Sequence, residues 1–435
     1  MQRRRARDFW GGVRTMKRAL FSIAGILLGA MCSVFAPAHA ESNRPVPPPD
    51  SALFTHAPTD IANTTGVIPL GNLNPGGGHV LAVDHMYITY PFPDTGGAYS
   101  YPVYAMADGE VVSLLRQQVP GRPDFDYQIF IRHNDAVTSY FDHLHGLSSR
   151  IMDHIASAPD SSWISPGGAN FRIMVLGELG APDPLPVYAG EQVGITKSYS
   201  FSWDVGVVDK RVQGHFAGHG PRRYLGFHDF LKLLGYKIDP PYAGNKTINA
   251  VCFINYMEPS LKAAWFDLLL SDPKSCGKDA WDIDGRLRGA WFNPAVDTAP
   301  ESVLFNLDYA ALSIIPYNLA PTTRVQIGAG SGNPYAALDP TGAFPQLRNP
   351  FVIEINTAAG TRINPDPASV RPATGTVCYD LSYNDAGMSR YNTMLFRTLG
   401  PRSVAIKYDP APHDGPQCGS LGLSEPDSSW VVYAR

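Results

Sequence analysis

The sequence predicts a mainly β protein, with two β regions joined by a short helical connector. Short apolar runs of alternating character are broken repeatedly by Gly, Pro, Asn or Asp, which is the rhythm of strands and turns. Helical spacing of apolar residues is confined to two segments, and Cys252, Cys276, Cys378 and Cys418 all lie in the second half of the 435 residues. The first region is expected to be a β-sandwich or half-barrel, and the second a small barrel or sandwich carrying disulfides.

Residues 1–40 read as an export signal. Arg3, Arg4, Arg5, Arg7, Arg14, Lys17 and Arg18 precede an apolar run, followed by Ala38-His39-Ala40, with cleavage expected after Ala40. A start at Met16 instead of Met1 would keep the same charged, apolar and small-residue order. Left uncleaved, this segment would be the contact with a membrane, since no later run combines spanning length with apolarity. Without it the chain has 28 basic against 38 acidic residues, a net charge of −10. So acidic a chain lacks the basic face that nucleic-acid phosphates require.

Residues 41–65, with Pro45, Pro47, Pro48 and Pro49, read as a linker. The first β domain is expected over 66–215, with strands near 79–90, 103–115, 127–133, 136–141, 171–176 and 201–208. The connector spans 216–284. Segments 224–234 and 259–270 have helical spacing there, and Glu258 and Ser260 supply first-turn chemistry for the second. The second β domain covers 285–435, with strands near 285–292, 303–307, 311–317, 376–381, 394–399, 403–408 and 430–433. Cleavage would remove Cys32 and leave four of the five cysteines, an even number that in an exported chain favours two disulfides; among three connectivities the sequential pairs Cys252–Cys276 and Cys378–Cys418 are expected. A zinc site built from all four thiolates is disfavoured, because there is no C-x-x-C pair.

Candidate chemistry lies in the first region. His79 and Asp84 precede one strand, His143 ends a second and Asp204 lies in a third. Zinc or another divalent ion takes about four ligands from such residues, with one position left to water in a catalytic site. Asp84 and His85 are neighbours, which in an extended strand face opposite ways, so only one is expected in the cluster.

Three stretches follow in order: Tyr101-Pro102-Val103-Tyr104-Ala105-Met106-Ala107-Asp108-Gly109-Glu110-Val111-Val112, then Phe141-Asp142-His143-Leu144, then Val187-Tyr188-Ala189-Gly190-Glu191-Gln192-Val193-Gly194. With His79 and Asp84 they resemble the scaffold of lysostaphin/LytM-type zinc endopeptidases, over roughly residues 66–209. Gly109 is expected in a turn with positive φ and Pro102 at a strand start. The resemblance implies a duplicated hybrid motif β fold, metal ligands at His79, Asp84 and Asp204, and catalytic positions at His143 and Ser202.

The chain departs from the family at both ends of its ligand set. His79 precedes Asp84 by five positions where the family has four, and Ser202-Trp203-Asp204 stands in place of H-x-H. Ser202 does not titrate near neutrality, so it cannot accept a proton as imidazole does. Asp204 would convert a two-His, one-Asp site into a one-His, two-Asp site, shifting preference toward harder ions. His143-Leu144-His145 is not expected to be the missing H-x-H, because Phe141, His143 and Leu144 fit the family's third motif and His145 has no family role; a local ligand pair from these two imidazoles, which share a face in a strand, is the alternative.

Near the end, Gly289-Ala290-Trp291 and Arg435 faintly resemble calycin barrels, in which a G-x-W is covered by a late Arg and apolar ligands enter the mouth. Three functions follow, in order of weight. The first is an exported envelope protein, periplasmic or secreted, with a degenerate peptidase-type domain. It would bind or regulate without metal, with peptidoglycan or an envelope protein as partner. The second is a metallopeptidase or peptidoglycan hydrolase with substituted ligands around zinc or another divalent ion. The third is a carrier of a small apolar ligand in the C-terminal barrel.

Overall fold

Runs of alternating apolar and polar residues become strands, and these pair antiparallel throughout both regions. The fold is given by a computed structural model, which describes residues 52–73, 79–91, 100–118, 124–158, 161–164, 170–177, 180–197, 202–216, 246–298, 311–330, 351–355, 364–385, 388–421, 423 and 425–435. The export signal expected at 1–40, the helix expected at 224–234 and the strand expected at 303–307 lie outside the described residues.

The first region contains β1 (Gly66–Ile68), β2 (Met86–Thr89), β3 (Ser100–Tyr104), β4 (Gly109–Gln118), β5 (Phe125–Arg132), β6 (Val137–Leu144), β7 (Gly146–Leu147), β8 (Ser161–Ile164), β9 (Asn170–Val175), β10 (Leu185–Val187), β11 (Gln192–Lys197), β12 (Ser202–Asp209) and β13 (Ala250–Val251). It also holds α1 (Ser149–Ile155) and, further on, α2 (Pro259–Asp267). The large sheet runs β1-β2-β12-β6-β5-β4-β9-β8, with β10 added to β4 and β13 to β12; a small sheet, β3-β11-β7, accompanies it. Val103 of β3 and Val193 of β11 share one apolar core with Ile129, Phe141, Trp203, Val205 and Val207 of the large sheet. The opposite face of the large sheet carries Asp204, Gly206 and Val208, and that face is buried too.

Two family-motif residues sit differently from expectation. Gly109 does not have a positive φ; it is needed because a Cβ there would lie 2.7 Å from the Arg132 carbonyl oxygen and 2.9 Å from Ile131 Cγ2. Pro102 is inside β3, opposite Ile195, and not at its start. It is tolerated because β3 is the outer strand of the small sheet, where one N–H can be spared.

Residues 52–65, expected to be linker, are packed. Phe54 is fully buried beside Tyr256 and His133, and its N–H donates to the Tyr256 carbonyl. Part of the expected connector joins the same body, since β13 extends the large sheet and Phe253, Ile254, Tyr256, Trp265 and Leu269 enter its core. α2 begins after Glu258 with Pro259 in its first turn, and Ser260 Oγ donates to Glu258 Oε1 at 2.8 Å. The expected disulfides are both present, Cys252–Cys276 and Cys378–Cys418.

The second region holds β14 (Gly289–Phe292), β15 (Ala311–Pro316), β16 (Arg324–Ala329), β17 (Phe351–Glu354), β18 (Val377–Asp385), β19 (Met388–Gly400), β20 (Ser403–His413) and β21 (Val431–Ala434). Their order, β17-β16-β15-β14-β21-β20-β19-β18, is a meander whose first and last strands pair. β17 and β18 approach one another, so the eight strands form a nearly closed antiparallel barrel. Trp291, Leu312, Ile327, Tyr379, Phe396 and Ile406 fill its interior. The Arg435 guanidinium lies 3.7 Å from the Trp291 ring centroid and donates to the carbonyls of Ile283, Arg286, Arg288 and Ala290. The G-x-W and the late Arg therefore meet, as the calycin resemblance implied.

The outer face of β15 and β16 is buried as well. Gln326 Nε2 donates to the Gly71 carbonyl at 2.8 Å, Leu73 N–H donates to Gln326 Oε1 at 3.3 Å, and Asn318 Nδ2 donates to the Pro69 carbonyl at 3.2 Å. These bonds tie the barrel wall to the loop after β1. Among the described residues, no helix is long and apolar enough to cross a membrane.

Candidate functional site

A β-bulge builds the centre of the site. Phe141 pairs with Ile129 and Leu144 with Tyr127, so β6 has one residue more than β5 between those points. Such an extra residue redirects side chains, and His143 takes the left-handed conformation there, with φ 62°. That conformation is costly for a residue with a Cβ. Its consequence is that Asp142 and His143 both turn toward Asp126 of β5. Nδ1 of His143 lies 2.8 Å from Asp126 Oδ2, and its Nε2 lies 3.5 Å from Asp204 Oδ2. Asp142 accepts the His143 backbone N–H at 2.8 Å and Gln128 Nε2 at 2.5 Å.

Asp84 and His85 both join this cluster, contrary to the alternation expected of a strand. The strand begins only at Met86, and the two preceding residues lie in a bend, where neighbouring side chains need not diverge. Nδ1 of His85 is 3.0 Å from Asp84 Oδ1, and its Nε2 is 3.1 Å from Asp204 Oδ2. The second contact does not have hydrogen-bond geometry, and Asp204 Oδ1 has no hydrogen-bond partner among the described residues. Asp84 also accepts the Tyr140 hydroxyl at 2.9 Å and the Thr247 hydroxyl at 3.3 Å, and Lys246 Nζ stands 3.7 Å from its Oδ1.

Tyr140 reaches Asp84 because Gly206 is its cross-strand partner. A Cβ on residue 206 would lie 1.9 Å from Tyr140 Cζ, so the phenol crosses β12 where a side chain would otherwise stand. Lys246 Nζ then sits 4.2 Å above the Tyr140 ring.

The electrostatics follow from burial and from who faces whom. Burial and the neighbouring His85 push His79 down to about 4. Burial alone would raise the Asp84 carboxyl, but Lys246 and the His85 hydrogen bond hold it far below the usual carboxylate range. Burial raises Asp204, against the pull of His85 and His143. Burial also opposes charge on His143, yet Asp142, the Asp126 hydrogen bond and Asp204 outweigh it and raise that imidazole to about 11. Its side chain is half exposed, so the cluster meets solvent at His143. A general base works best with a pKa near the operating pH. A ring that keeps its proton to about 11 is poorly suited to take one at neutrality.

The structure places the sequence-derived residues unequally. Asp84, Asp204 and His143 are linked through His85, directly or through one shared contact. His79 stacks edge-on to His85 at 5.6 Å between ring centres. Ser202 opens β12 opposite Thr89, two positions before Asp204. His145 lies 3.9 Å from Asp124 Oδ1, away from the His85 contacts. Among the described residues, the group whose ligand atoms all lie within 4.8 Å is Asp126, Asp142 and His143.

Sequence reasoning missed Asp126, Lys246, Tyr140 and the joint presence of Asp84 and His85. No sequence signal existed for Tyr140 or Lys246: Gly206, which admits the phenol, neighbours Tyr140 only through the pairing of β12 with β6, and more than a hundred residues separate Lys246 from the bulge in the chain.

A zinc ion at His79, Asp84 and Asp204 does not fit the residues as they stand. Both Asp84 oxygens already accept hydrogen bonds, and Lys246 would face the ion across that carboxylate, cation against cation. No family model matches the chain, and no curated protein matches it. Among solved structures, a zinc-containing peptidase from Vibrio cholerae is similar at 16% identity with a TM-score of 0.21, covering 37% of this chain. The chain spans 38% of that structure's length.

Proposed function

We propose that this is an exported cell-envelope protein whose first β region has the LytM/lysostaphin-type scaffold without its peptidase chemistry, and that it serves as a binding or regulatory module. The observation that supports this reading is the His85 imidazole held between Asp84 and Asp204, with Lys246 beside Asp84. The carboxylates that a metal would neutralise are answered from within the chain. Ser202 stands where the family has a base, and His143 keeps its proton through neutrality. The two disulfides agree with an oxidising compartment. Partners consistent with this role are peptidoglycan or another envelope protein.

Elemental analysis of the protein purified without chelators, together with incubation with peptidoglycan cross-bridges and glycine-rich peptides, tests the reading. Substoichiometric zinc and no cleavage are expected. Stoichiometric zinc that is lost on Asp84→Ala or Asp204→Ala, with cleavage of either substrate, would overturn it.

A second reading keeps a metal, and the clustering of Asp126, Asp142 and His143 favours it. Two carboxylates and one imidazole suit a harder divalent ion better than a thiolate-loving one. Those residues would hold the ion, which would supply Lewis-acid chemistry when bound. Calorimetric titration with Mn2+, Ca2+ and Zn2+ separates the readings, since saturable one-to-one binding that Asp126→Asn abolishes is expected only of the second.

A further inference from the structure

The large sheet has a second chemical feature, on the face opposite His143. Arg116 of β4 pairs with Arg172 of β9, and Ser162 of β8 is the partner of Arg172 on its other side. Directly opposed residues of an antiparallel pair have Cα atoms about 5 Å apart. Their side chains leave the same face, and like charges so placed weaken a sheet. Gln117, next to Arg116, pairs with Asp126, whereas Arg116 pairs with Tyr127; alternation therefore puts the arginine pair and the Asp126 carboxylate on opposite faces.

A cavity of about 300 Å3 opens over the pair, lined by Arg116, Gln118, Phe125, Ser162, Asn170 and Arg172. Among these described lining residues none is acidic, in a protein with 39 acidic residues against 35 basic. The Arg116 guanidinium lies 4.5 Å from the Phe125 ring centroid, which steadies the plane of its fork. A cavity of this size takes a small ligand, and its walls specify three chemistries. Two guanidiniums match the paired oxygens of an anion. The carboxamides of Gln118 and Asn170 and the Ser162 hydroxyl offer donors and acceptors together, as an amide requires. The Phe125 ring is an apolar wall.

We infer that this cavity binds a peptide C-terminus, its carboxylate on Arg116 and Arg172 and its last amide on the neighbouring polar groups. An isolated oxyanion such as phosphate would accept from the arginines, the carboxamide N–H groups and the Ser162 hydroxyl, but would leave the carboxamide oxygens of Gln118 and Asn170 and the Phe125 ring without a role. The site stands on its own residues, whether or not the cluster on the other face holds a metal.

Calorimetric titration of the full-length protein with N-acetyl-alanyl-alanine, with its C-terminal amide and with inorganic phosphate tests the inference. The free acid is expected to bind more tightly than phosphate, and the amide to bind about tenfold more weakly than the acid or worse. Added sodium chloride is expected to weaken the acid. Arg116→Gln and Arg172→Gln should each lower its affinity about tenfold, with far-ultraviolet circular dichroism unchanged. Equal binding of acid and amide, tighter binding of phosphate, or no binding of any probe in the millimolar range overturns it. The acid-against-amide comparison uses the unaltered chain, so a variant that fails to fold leaves the decision intact.

Discussion

In the barrel, the buried Arg435 guanidinium is answered by backbone carbonyls, whereas in the large sheet the buried carboxylates of Asp84 and Asp204 are answered by side chains that themselves titrate or carry charge. Backbone dipoles cannot lose a proton or swing away, so the Arg435 seal is a fixed structural clasp. Imidazole and ammonium groups respond to pH, substitution and ligands. The large sheet therefore gathers adjustable charge around Asp84 and Asp204, whereas the four backbone acceptors of Arg435 are fixed. The apolar contents reinforce the contrast: Trp291, Tyr379 and Phe396 fill the barrel, while Asp204 and Gly206 interrupt the apolar outer face of β12.

The largest test strikes the clasp. Arg435→Ala leaves up to four carbonyls without their donor and strips the cover from Trp291, at a cost of about 3–5 kcal/mol, since a buried acceptor left unsatisfied costs about 1–3 kcal/mol. Urea denaturation followed by Trp fluorescence measures it, and a loss under about 1 kcal/mol would mean that the barrel end is held by other contacts.

Next is the charge facing Asp84. Lys246→Met should destabilise by about 2–3 kcal/mol, below the fully buried range because solvent reaches both partners. Adding Asp84→Asn should recover most of the loss, since the orphaned charge goes with it; purely additive effects would show that Lys246 acts by packing alone.

A smaller effect is expected at Gly206. Gly206→Ala forces Tyr140 off β12 and should cost about 1–3 kcal/mol, the usual range for overpacking. Tyr140→Phe in that background should cost little more, because the hydroxyl would already have lost Asp84.

The last test is a slope with pH. His79 and His133 have an ordinary value of 6.5 and fall to about 4 in the folded state, His133 chiefly through burial. Between those values the unfolded chain binds the extra protons, so their contribution is complete above pH 6.5 and is lost as pH falls toward 4. His143 acts in the reverse sense: raised to about 11, it stabilises fully below 6.5 and loses that contribution as pH rises through 11. Melting temperature against pH should show both limbs, and His133→Gln should flatten the acid limb alone.

Much of the fold was legible in the chain. Alternation located β5, β6, β9, β12 and most barrel strands, and the four cysteines beyond residue 40 led to both disulfides. β16 and β17 escaped notice. Arg324-Val325-Gln326-Ile327-Gly328-Ala329 carries a buried polar residue and a glycine within a short run, and Gln326 is there to bond the first region, a requirement set by a surface far away in sequence. β2 was shorter than its apolar run suggested, and the bend before it let Asp84 and His85 share one site.

The sequence by itself determined the β character, and its four late cysteines led to the two disulfides. These depend on local alternation and on residue identity, which a linear chain displays directly. Only the tertiary structure decided that a bulge in β6 would turn His143 onto Asp126, that Gly206 would let Tyr140 through, and that Lys246 would stand beside Asp84. Those contacts depend on strand register and on which segments cover the sheet, and both arise only when distant parts of the chain pack together.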